Sequence, residues 1–121
     1  MEPIRVSIAT DFSLTPGPRY RIEGDFSGQE FRETILKEAM ENAIIGNRKL
    51  VMNLDGTAGY GTSFLEEAFG GLIREDNLSF DLINKCLEII SEEEPFLIDD
   101  VKEYLQSANV EKLKTTPKDG K

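Results

Sequence analysis

Apolar and polar residues alternate in two short segments near the beginning of the chain. In residues 4–10 (IRVSIAT), Ile4, Val6 and Ile8 fall on one side, which is typical of a strand buried on one face. Residues 19–23 (RYRIE) alternate again, and the turn-forming sequence TPGP lies between the two segments. The pattern therefore predicts an antiparallel β-hairpin with a long loop.

The first predicted helix covers residues 27–45, where apolar residues recur at a spacing of three to four. It begins with SGQE, a capping box in which the Ser27 hydroxyl accepts a hydrogen bond from the Glu30 amide and the Glu30 carboxylate reaches back. Gly46 is predicted to end this helix, because glycine readily adopts the left-handed backbone conformation that follows the last turn. A later helix over residues 95–109 begins at a proline, which suits a first turn.

The helix between them spans residues 63–75 and follows a glycine-rich loop at 56–61. Its first four residues, SFLE, form a second capping box, so Ser63 is predicted to be the N-cap residue. Gly70 and Gly71 lie inside the helix, and each costs about 1 kcal/mol relative to alanine. This cost predicts a close approach of the helix backbone to the sheet or to a partner.

Two short apolar runs complete the predicted fold. Residues 49–55 and 86–90 are typical of buried strands, and residues 79–84 are predicted to form a short helical turn. The resulting order is ββαβαβα, with helices packed on a mixed, mostly parallel sheet, which is an α/β fold. We expect one domain over residues 1–110 and a flexible C-terminal tail over residues 111–121.

The composition limits the partners and the compartment. The chain has 121 residues and a formal net charge of −9. Because an acidic protein repels phosphate groups, we expect neither nucleic acid nor an anionic membrane to be a partner. No apolar run reaches the ~18 residues of a membrane span. The N-terminal sequence MEPIRVSI lacks the features of a signal peptide, so we expect a cytoplasmic protein.

The absence of histidine excludes several kinds of catalytic site and metal site. The sequence contains no histidine and one cysteine, Cys86. Ser-His-Asp and Cys-His catalytic sites are therefore excluded within the chain, and a zinc site would have no imidazole and a single thiolate. Cys86 lies in the apolar run CLEII and is expected to be a buried thiol. We expect no enzymatic activity, no metal and no cofactor.

The glycine-rich loop departs from the nucleotide-binding and hydrolase motifs that it partly matches. GTAGYGTS has the glycine spacing of a phosphate-binding loop, but Thr62 stands where the lysine belongs. Phe64 replaces the third glycine of a dinucleotide fingerprint. GTSFL also lacks the last glycine of the hydrolase motif G-x-S-x-G. The adjacent Glu66 and Glu67 point about 100° apart on a helix, so they do not form a facing acid–base pair.

Two compatible hypotheses remain for Ser63. As an N-cap residue it would only start its helix, and replacement by alanine would cost about 1 kcal/mol. As a phosphorylation switch it would place nearly two negative charges at a helix N-terminus, where unpaired amides and the helix dipole favour a phosphate.

Two long segments of the chain resemble a known family. PGPRYRIEGDFSGQEFRETIL and VMNLDGTAGYGTSFLEEAFGGLIRE are similar to the STAS-like domain family of unknown function found in bacteria, and the resemblance covers roughly residues 3–108. That family takes its name from a likeness to anti-sigma factor antagonists, small ββαβαβα proteins with helices packed on a mixed sheet. The resemblance therefore implies the same α/β fold.

The antagonists have a phosphorylated serine at the start of the second helix, in a stretch of the form Asp-Ser-Ser-Gly-Leu. Laid on GTSFL, the resemblance places the phosphorylated serine on Ser63 and the preceding one on Thr62, and Leu65 also matches. Gly61 stands where the antagonists have aspartate, and Phe64 stands where they have glycine.

The leading hypothesis is a non-enzymatic regulatory module that docks a protein partner through the loop 56–62 and the exposed face of the helix 63–75. The resemblance implies an ATPase of the serine-kinase anti-sigma type as that partner. Ser63 would be the switch, with Thr62 as a second acceptor. The expected partner-binding residues are Asp55, Gly56, Tyr60, Gly61, Phe64, Glu66 and Glu67.

Two other classes of function stay open from the sequence. In a domain that senses a small molecule or a nucleotide, the glycine-rich loop and Arg19 would form an anion pocket. Arg19 and Arg32 are candidate anion contacts if the first helix lies beside the loop. Surface ion pairs are the alternative for these arginines. In a structural subunit, Gly70 and Gly71 would allow tight helix contact with a second copy.

Overall fold

The sheet of this protein consists of three short parallel strands in the computed structural model, which describes residues 2–115. β1 is Ile4–Ser7, β2 is Leu50–Asn53 and β3 is Leu87–Ile90, and they lie in the order β1-β2-β3. Ile4 lies beside Leu50, and Leu50 lies beside Leu87, so residues form rows that cross the sheet.

Helices make up much of the remaining described chain. α1 is Ile8–Asp11. α2 spans residues 28–46 as Gly28–Phe31, Arg32–Leu36 and Lys37–Gly46. α3 spans residues 62–74 as Thr62–Leu65, Glu66–Gly70 and Gly71–Arg74. α4 is Phe80–Cys86 and α5 is Phe96–Thr115. The middle segment of both α2 and α3 is a π-helical turn, a feature that is often found at functional sites.

The predicted α/β class is confirmed, with helices packed on a parallel sheet. The strands expected at 49–55 and 86–90 are β2 and β3, and the helical turn expected at 79–84 is α4. One face of the sheet packs into the hydrophobic core, which α2, α3, α4 and α5 complete. The residues of this face are Ile4, Val6, Leu50, Met52, Leu87 and Ile89.

The prediction of a second strand over residues 19–23 is wrong. Arg21–Glu23 form a short 3-10 helix. The Glu23 carboxylate accepts a hydrogen bond from the Tyr20 amide at 2.9 Å, which closes this turn locally. Ile22 is 94% exposed, so the alternation of this segment does not mark a buried face.

Several elements end at residues other than those predicted. β1 stops at Ser7, because the Ser7 hydroxyl accepts a hydrogen bond from the Thr10 amide at 3.3 Å and so starts α1. The left-handed residue that ends α2 is Asn47, with a φ of 52°, rather than the glycine before it. α5 continues to Thr115, past the end predicted at 109.

The predicted tail over residues 111–121 divides into two parts. Residues 111–115 belong to α5, and residues 116–121 lie outside the described residues. The domain division after residue 110 stays a prediction. Among the described residues, no helix combines the length and the apolar character needed to cross a membrane.

α2 and α3 approach each other closely at their N-terminal ends. The Ser27 hydroxyl caps α2, as predicted, by accepting a hydrogen bond from the Glu30 amide at 2.9 Å. The Glu30 carboxylate reaches back to the Phe26 amide at 3.2 Å. Gly28 lies against the backbone of Phe64, whose carbonyl oxygen would be 2.4 Å from a Cβ at this position. The absence of a side chain at Gly28 therefore allows the two helices to meet.

Candidate functional site

The N-terminus of α3 presents two exposed hydroxyl residues. The helix begins at Thr62, and Gly61 is its N-cap residue with an extended backbone conformation. Ser63 is therefore the second residue of the helix, and its side chain is exposed. The prediction that Ser63 caps α3 through a capping box is wrong, because Gly61 is the N-cap residue and the Glu66 amide donates to the backbone carbonyl oxygens of Thr62 and Ser63 rather than to the Ser63 hydroxyl.

The loop before α3 is held to the end of β2 by Tyr60. The ring of Tyr60 is half-buried, and its hydroxyl donates a hydrogen bond to the carbonyl oxygen of Leu54 at 2.7 Å. Burial raises the pKa of Tyr60 to about 12, so the phenol stays protonated and acts as a donor at neutral pH. Gly56 and Gly59 have φ values of 95° and 133°, which residues with side chains rarely adopt. The structure thus gives Tyr60 a role in shaping the loop.

The first residues of this loop also bind the segment between β3 and α5. The Asp55 carboxylate accepts hydrogen bonds from the amides of Glu92 and Glu93, at 3.1 Å and 3.0 Å. The amide of Gly56 donates to the Glu93 carboxylate at 2.9 Å. These contacts fix the start of the loop at the carboxyl end of the sheet, and they leave the side chains of Glu92 and Glu93 on an exposed acidic edge.

Phe64 lies in the core rather than on the surface. Its ring is fully buried and stacks on the ring of Phe31, with a distance of 5.9 Å between ring centres. The rings of Tyr60 and Phe12 also pack against it. This burial argues against the predicted role of Phe64 as an apolar anchor for a partner.

Leu14 is an apolar residue beside the loop that sequence reasoning missed. Its side chain is 62% exposed, and its carbonyl oxygen accepts a hydrogen bond from the amide of Ala58 at 2.8 Å. It lies in the connection that was predicted to be a hairpin loop, where no periodic pattern distinguishes one residue from another. No sequence signal pointed to it.

Six charged side chains meet where α2 packs against α3. We call this group the ion-pair cluster: Arg19, Arg32, Arg74, Glu66, Glu67 and Asp76. Arg32 lies at its centre, with a side chain that is only 4% exposed, and donates to Glu67 at 2.8 Å. Arg32 also donates to Asp76 at 3.1 Å. Burial opposes the charge of Arg32, but the two carboxylates outweigh burial and raise the pKa of the guanidinium.

Glu66 lies on the more exposed side of the ion-pair cluster. Arg19 and Arg74 both donate hydrogen bonds to its carboxylate. Burial alone would raise the pKa of Glu66, but the hydrogen bonds and charges of Arg74 and Arg19 outweigh burial and hold it below its usual range. The same contacts raise the pKa of Arg74.

The ion-pair cluster changes the interpretation of four predicted site residues. Arg19 and Arg32, the expected anion contacts, are each paired with a carboxylate of the same chain. Glu67, an expected partner contact, is 3% exposed, while Glu66 is partly exposed and paired with two arginines. The contact role of Arg19 and Arg32 is therefore not supported, and the ion pairs predicted as the alternative are present, buried in the case of Arg32.

The ion-pair cluster also explains the two adjacent glycines of α3. A Cβ on Gly71 would lie 2.3 Å from Nε of Arg32, and a Cβ on Gly70 would lie 2.8 Å from Nη1 of Arg74. Nε of Arg32 is buried and has no hydrogen-bond partner in the described part of the chain. The close approach predicted for these glycines is therefore to arginine side chains of the same chain, rather than to the sheet or to a second copy.

We expect the stability of the protein to fall at acidic pH in part because of Glu66. A carboxylate whose pKa is lowered in the folded state stabilises that state above its ordinary pKa and loses this effect as the pH falls through the folded value. The free energy of unfolding of Glu66→Gln should therefore fall below that of wild type at pH 7, and the difference should shrink between about pH 5 and pH 3. Urea unfolding across this range measures it.

Glu38→Gln is the control for Glu66→Gln. It removes the same charge from an exposed glutamate of α2. A difference between Glu66→Gln and wild type that stays constant with pH would show that the ion pairs of Glu66 do not stabilise the fold.

Comparison with known proteins gives a family but no close relative. Residues 27–96 match the family model described as a STAS-like domain of unknown function, which is more than half of the chain. The matched region runs from the cap of α2 to the first residue of α5 and contains the loop and all of α3. Neither a curated protein nor a solved structure matches the chain. The chain belongs to the STAS-like domain family.

Proposed function

We propose that this member of the STAS-like family is a non-enzymatic regulatory domain that docks a protein partner at the N-terminus of α3. The observation that carries the proposal is the exposure of Ser63 and Thr62, neither of which is used to cap the helix. The docking surface consists of these two residues, the loop 56–61 before them, and Leu14.

The support for a protein partner is the mixed chemistry of this surface. Leu14 offers exposed apolar area, and the amide of Ala58 fixes its backbone against the loop. Glu92 and Glu93 provide exposed negative charge next to the start of the loop. Such a combination of an apolar contact and surrounding charge is typical of the rim and core of a protein interface.

The support for regulation at Ser63 is its position in the helix. A hydroxyl at the second residue of α3 lies near the unpaired amides and positive end of the helix dipole, which favour an added phosphate. In the proposed reaction the Ser63 oxygen takes the terminal phosphoryl group of ATP, its proton is released and ADP leaves. A phosphate at this position would have to give up its bound water when a partner covers it, so phosphorylation should weaken docking.

The proposed partner is an ATPase of the serine-kinase anti-sigma type, the class that the resemblance to antagonists implies. Such a partner supplies both the ATP and the phosphoryl transfer, so this chain needs no catalytic residues of its own. We also propose that the domain binds neither metal nor cofactor, and that it acts in the cytoplasm, where such a kinase has access to ATP.

We expect Ser63→Asp to weaken the capture of the partner strongly. Wild type, Ser63→Asp and Ser107→Asp are used to capture proteins from the cell extract of the source organism, and the captured proteins are identified by mass spectrometry. An ATPase of the kinase type should bind wild type and be reduced at least about tenfold with Ser63→Asp, because of the added negative charge. Ser107 is an exposed serine of α5, outside the proposed docking surface. Ser107→Asp therefore controls for the effect of one added negative charge elsewhere on the protein.

Two results would contradict the proposal. Equal capture by wild type and Ser63→Asp would show that Ser63 does not control docking. Loss of capture with both Ser63→Asp and Ser107→Asp would show a general effect of charge rather than a surface at α3. Far-ultraviolet circular dichroism establishes that each variant is folded before the comparison is made.

A further inference from the structure

The two faces of the sheet differ in what covers them. Side chains alternate between the two faces along a strand. The face opposite the core, which we call the outer face, carries Arg5, Ser7, Val51, Asn53, Glu88 and Ile90. None of these residues belongs to the core cluster formed by the described residues, although Val51 is only 6% exposed.

An open groove of about 270 Å³ lies on the outer face. Arg5, Val51 and Ile90 line it, and Thr10 and Asp11 of α1 lie beside them. Parallel sheets occur almost always with both faces covered, because the connections between parallel strands place helices on both faces. In the part of the chain that the structure describes, the core layer covers one face only, so the outer face is the place where a second layer is expected.

The charges of the outer face are arranged across the strands. Arg5 of β1, Val51 of β2 and Glu88 of β3 lie in one row, because Arg5 pairs with Val51 and Val51 pairs with Glu88 in the register of the sheet. The row therefore has a positive charge at one edge, an apolar side chain in the middle and a negative charge at the other edge. Arg5 and Glu88 are both exposed.

We propose that the outer face packs on the outer face of a second copy of this chain, about a twofold axis parallel to the strands. Rotation about such an axis keeps the rows at the same height and reverses the order of the strands, so β1 of one copy faces β3 of the other. Arg5 then lies opposite Glu88 of the second copy, at both ends of the row, and Val51 lies opposite Val51. The pattern is complementary to itself, as an interface with twofold symmetry requires.

The next row of the sheet is compatible with the same axis. Ser7, Asn53 and Ile90 are neighbours in the register. The twofold axis places Asn53 opposite Asn53, where each amide can donate to the carbonyl oxygen of the other. The same axis brings Ile90 opposite Ser7, a small residue that leaves room for the larger side chain.

The size of the outer face predicts a weak dimer. Three strands of four residues cover about 200 Å² at the usual spacings of residues and strands. A standard protein interface buries about 800 Å² on each partner. We therefore expect a weak dimer that forms only at high protein concentration. Salt should weaken this dimer further, because Arg5 and Glu88 are exposed charges.

Charge reversal at the two ends of the row tests this dimer. Arg5→Glu places like charges opposite each other at both ends, and so does Glu88→Arg. Each single variant should dimerise at least about tenfold more weakly than wild type in sedimentation equilibrium at low salt. The double variant Arg5→Glu/Glu88→Arg restores opposite charges and should dimerise within about threefold of wild type.

A mixture of the two single variants gives the sharpest test. In a mixed dimer, the glutamate introduced by Arg5→Glu in one copy faces the arginine introduced by Glu88→Arg in the other. At the opposite end of the row, the unchanged Glu88 of the first copy faces the unchanged Arg5 of the second. An equimolar mixture of the two variants should therefore associate more tightly than either variant alone, with the mixed dimer dominant in native mass spectrometry.

Three results would overturn the proposal. Wild type could remain monomeric up to about 1 mM, which would show that the outer face does not pack on a second copy. Dimerisation could be unchanged in both single variants, which would place the interface elsewhere. The mixture could associate no better than its components, which would exclude the twofold axis along the strands. Circular dichroism of each variant establishes that the fold is retained, so each result bears on the interface itself.

Discussion

Replacement of Arg32 by methionine should lower the free energy of unfolding by about 3–5 kcal/mol, the usual effect of removing one partner of a buried ion pair. Methionine keeps much of the length of the side chain but removes the positive charge. Glu67, which is 3% exposed, then loses its 2.8 Å hydrogen bond, and Asp76 loses its contact at 3.1 Å. Urea unfolding at pH 7, followed by circular dichroism, measures the change.

Arg21→Met is the matched control for Arg32→Met. Arg21 also pairs with a glutamate, Glu33, at 2.8 Å, but these two side chains are 45% and 40% exposed. An exposed pair contributes less than about 1 kcal/mol, because water and salt screen it. Similar losses in both variants would show that burial does not set the contribution of the Arg32 ion pair to stability.

The sequence predicted the elements that bury an apolar face. β2, β3, α2 and α3 all follow apolar patterns that continue for at least one full strand or two helical turns. The strand predicted at 19–23 failed because alternation over five residues also arises in an exposed segment, where a local hydrogen bond between Tyr20 and Glu23 sets the backbone. An alternating or helical pattern of apolar residues therefore indicates a buried face only when it continues over a longer segment than these five residues.

The candidate site was predicted less well, because its contacts join residues far apart in the chain. Arg32 and Glu67 are 35 residues apart, and Arg32 and Asp76 are 44 residues apart, so no local spacing reveals them. Ser63 was assigned as a cap from the sequence SFLE, yet a glycine two residues earlier can cap a helix with its backbone alone. The exposure of Ser63 and the burial of Phe64 both follow from where the helix starts.

The ion-pair cluster has a consequence for the proposed docking surface. It joins α2 to α3 a few residues beyond Ser63, while Gly28 joins the starts of the two helices. The exposed loop and hydroxyls are therefore carried by a rigid support, as is usual for binding residues on loops. A change at Ser63 can alter docking without altering the fold, which is why Ser63→Asp is expected to remain folded.

Gly71→Ala should destabilise the protein by about 3 kcal/mol, although alanine at an unstrained helical position is about 1 kcal/mol better than glycine. The new Cβ would lie 2.3 Å from Nε, 2.8 Å from Cδ and 2.9 Å from Cζ of Arg32. The guanidinium must then move away from Glu67, so the substitution both crowds the core and breaks a buried ion pair. Urea unfolding of the variant measures the loss.

Gly70→Ala and a double-mutant cycle identify the cause of that loss. At Gly70 the nearest atoms are the ends of the Arg74 and Glu66 side chains, at 2.8 Å, and both are free to shift toward solvent. Gly70→Ala should therefore change the stability by less than about 1 kcal/mol. In an Arg32→Ala background the crowding at Gly71 is gone, so Gly71→Ala should be neutral or stabilising by up to about 1 kcal/mol. If Gly71→Ala cost as much there as in wild type, the glycine would be required by the backbone of α3 rather than by Arg32.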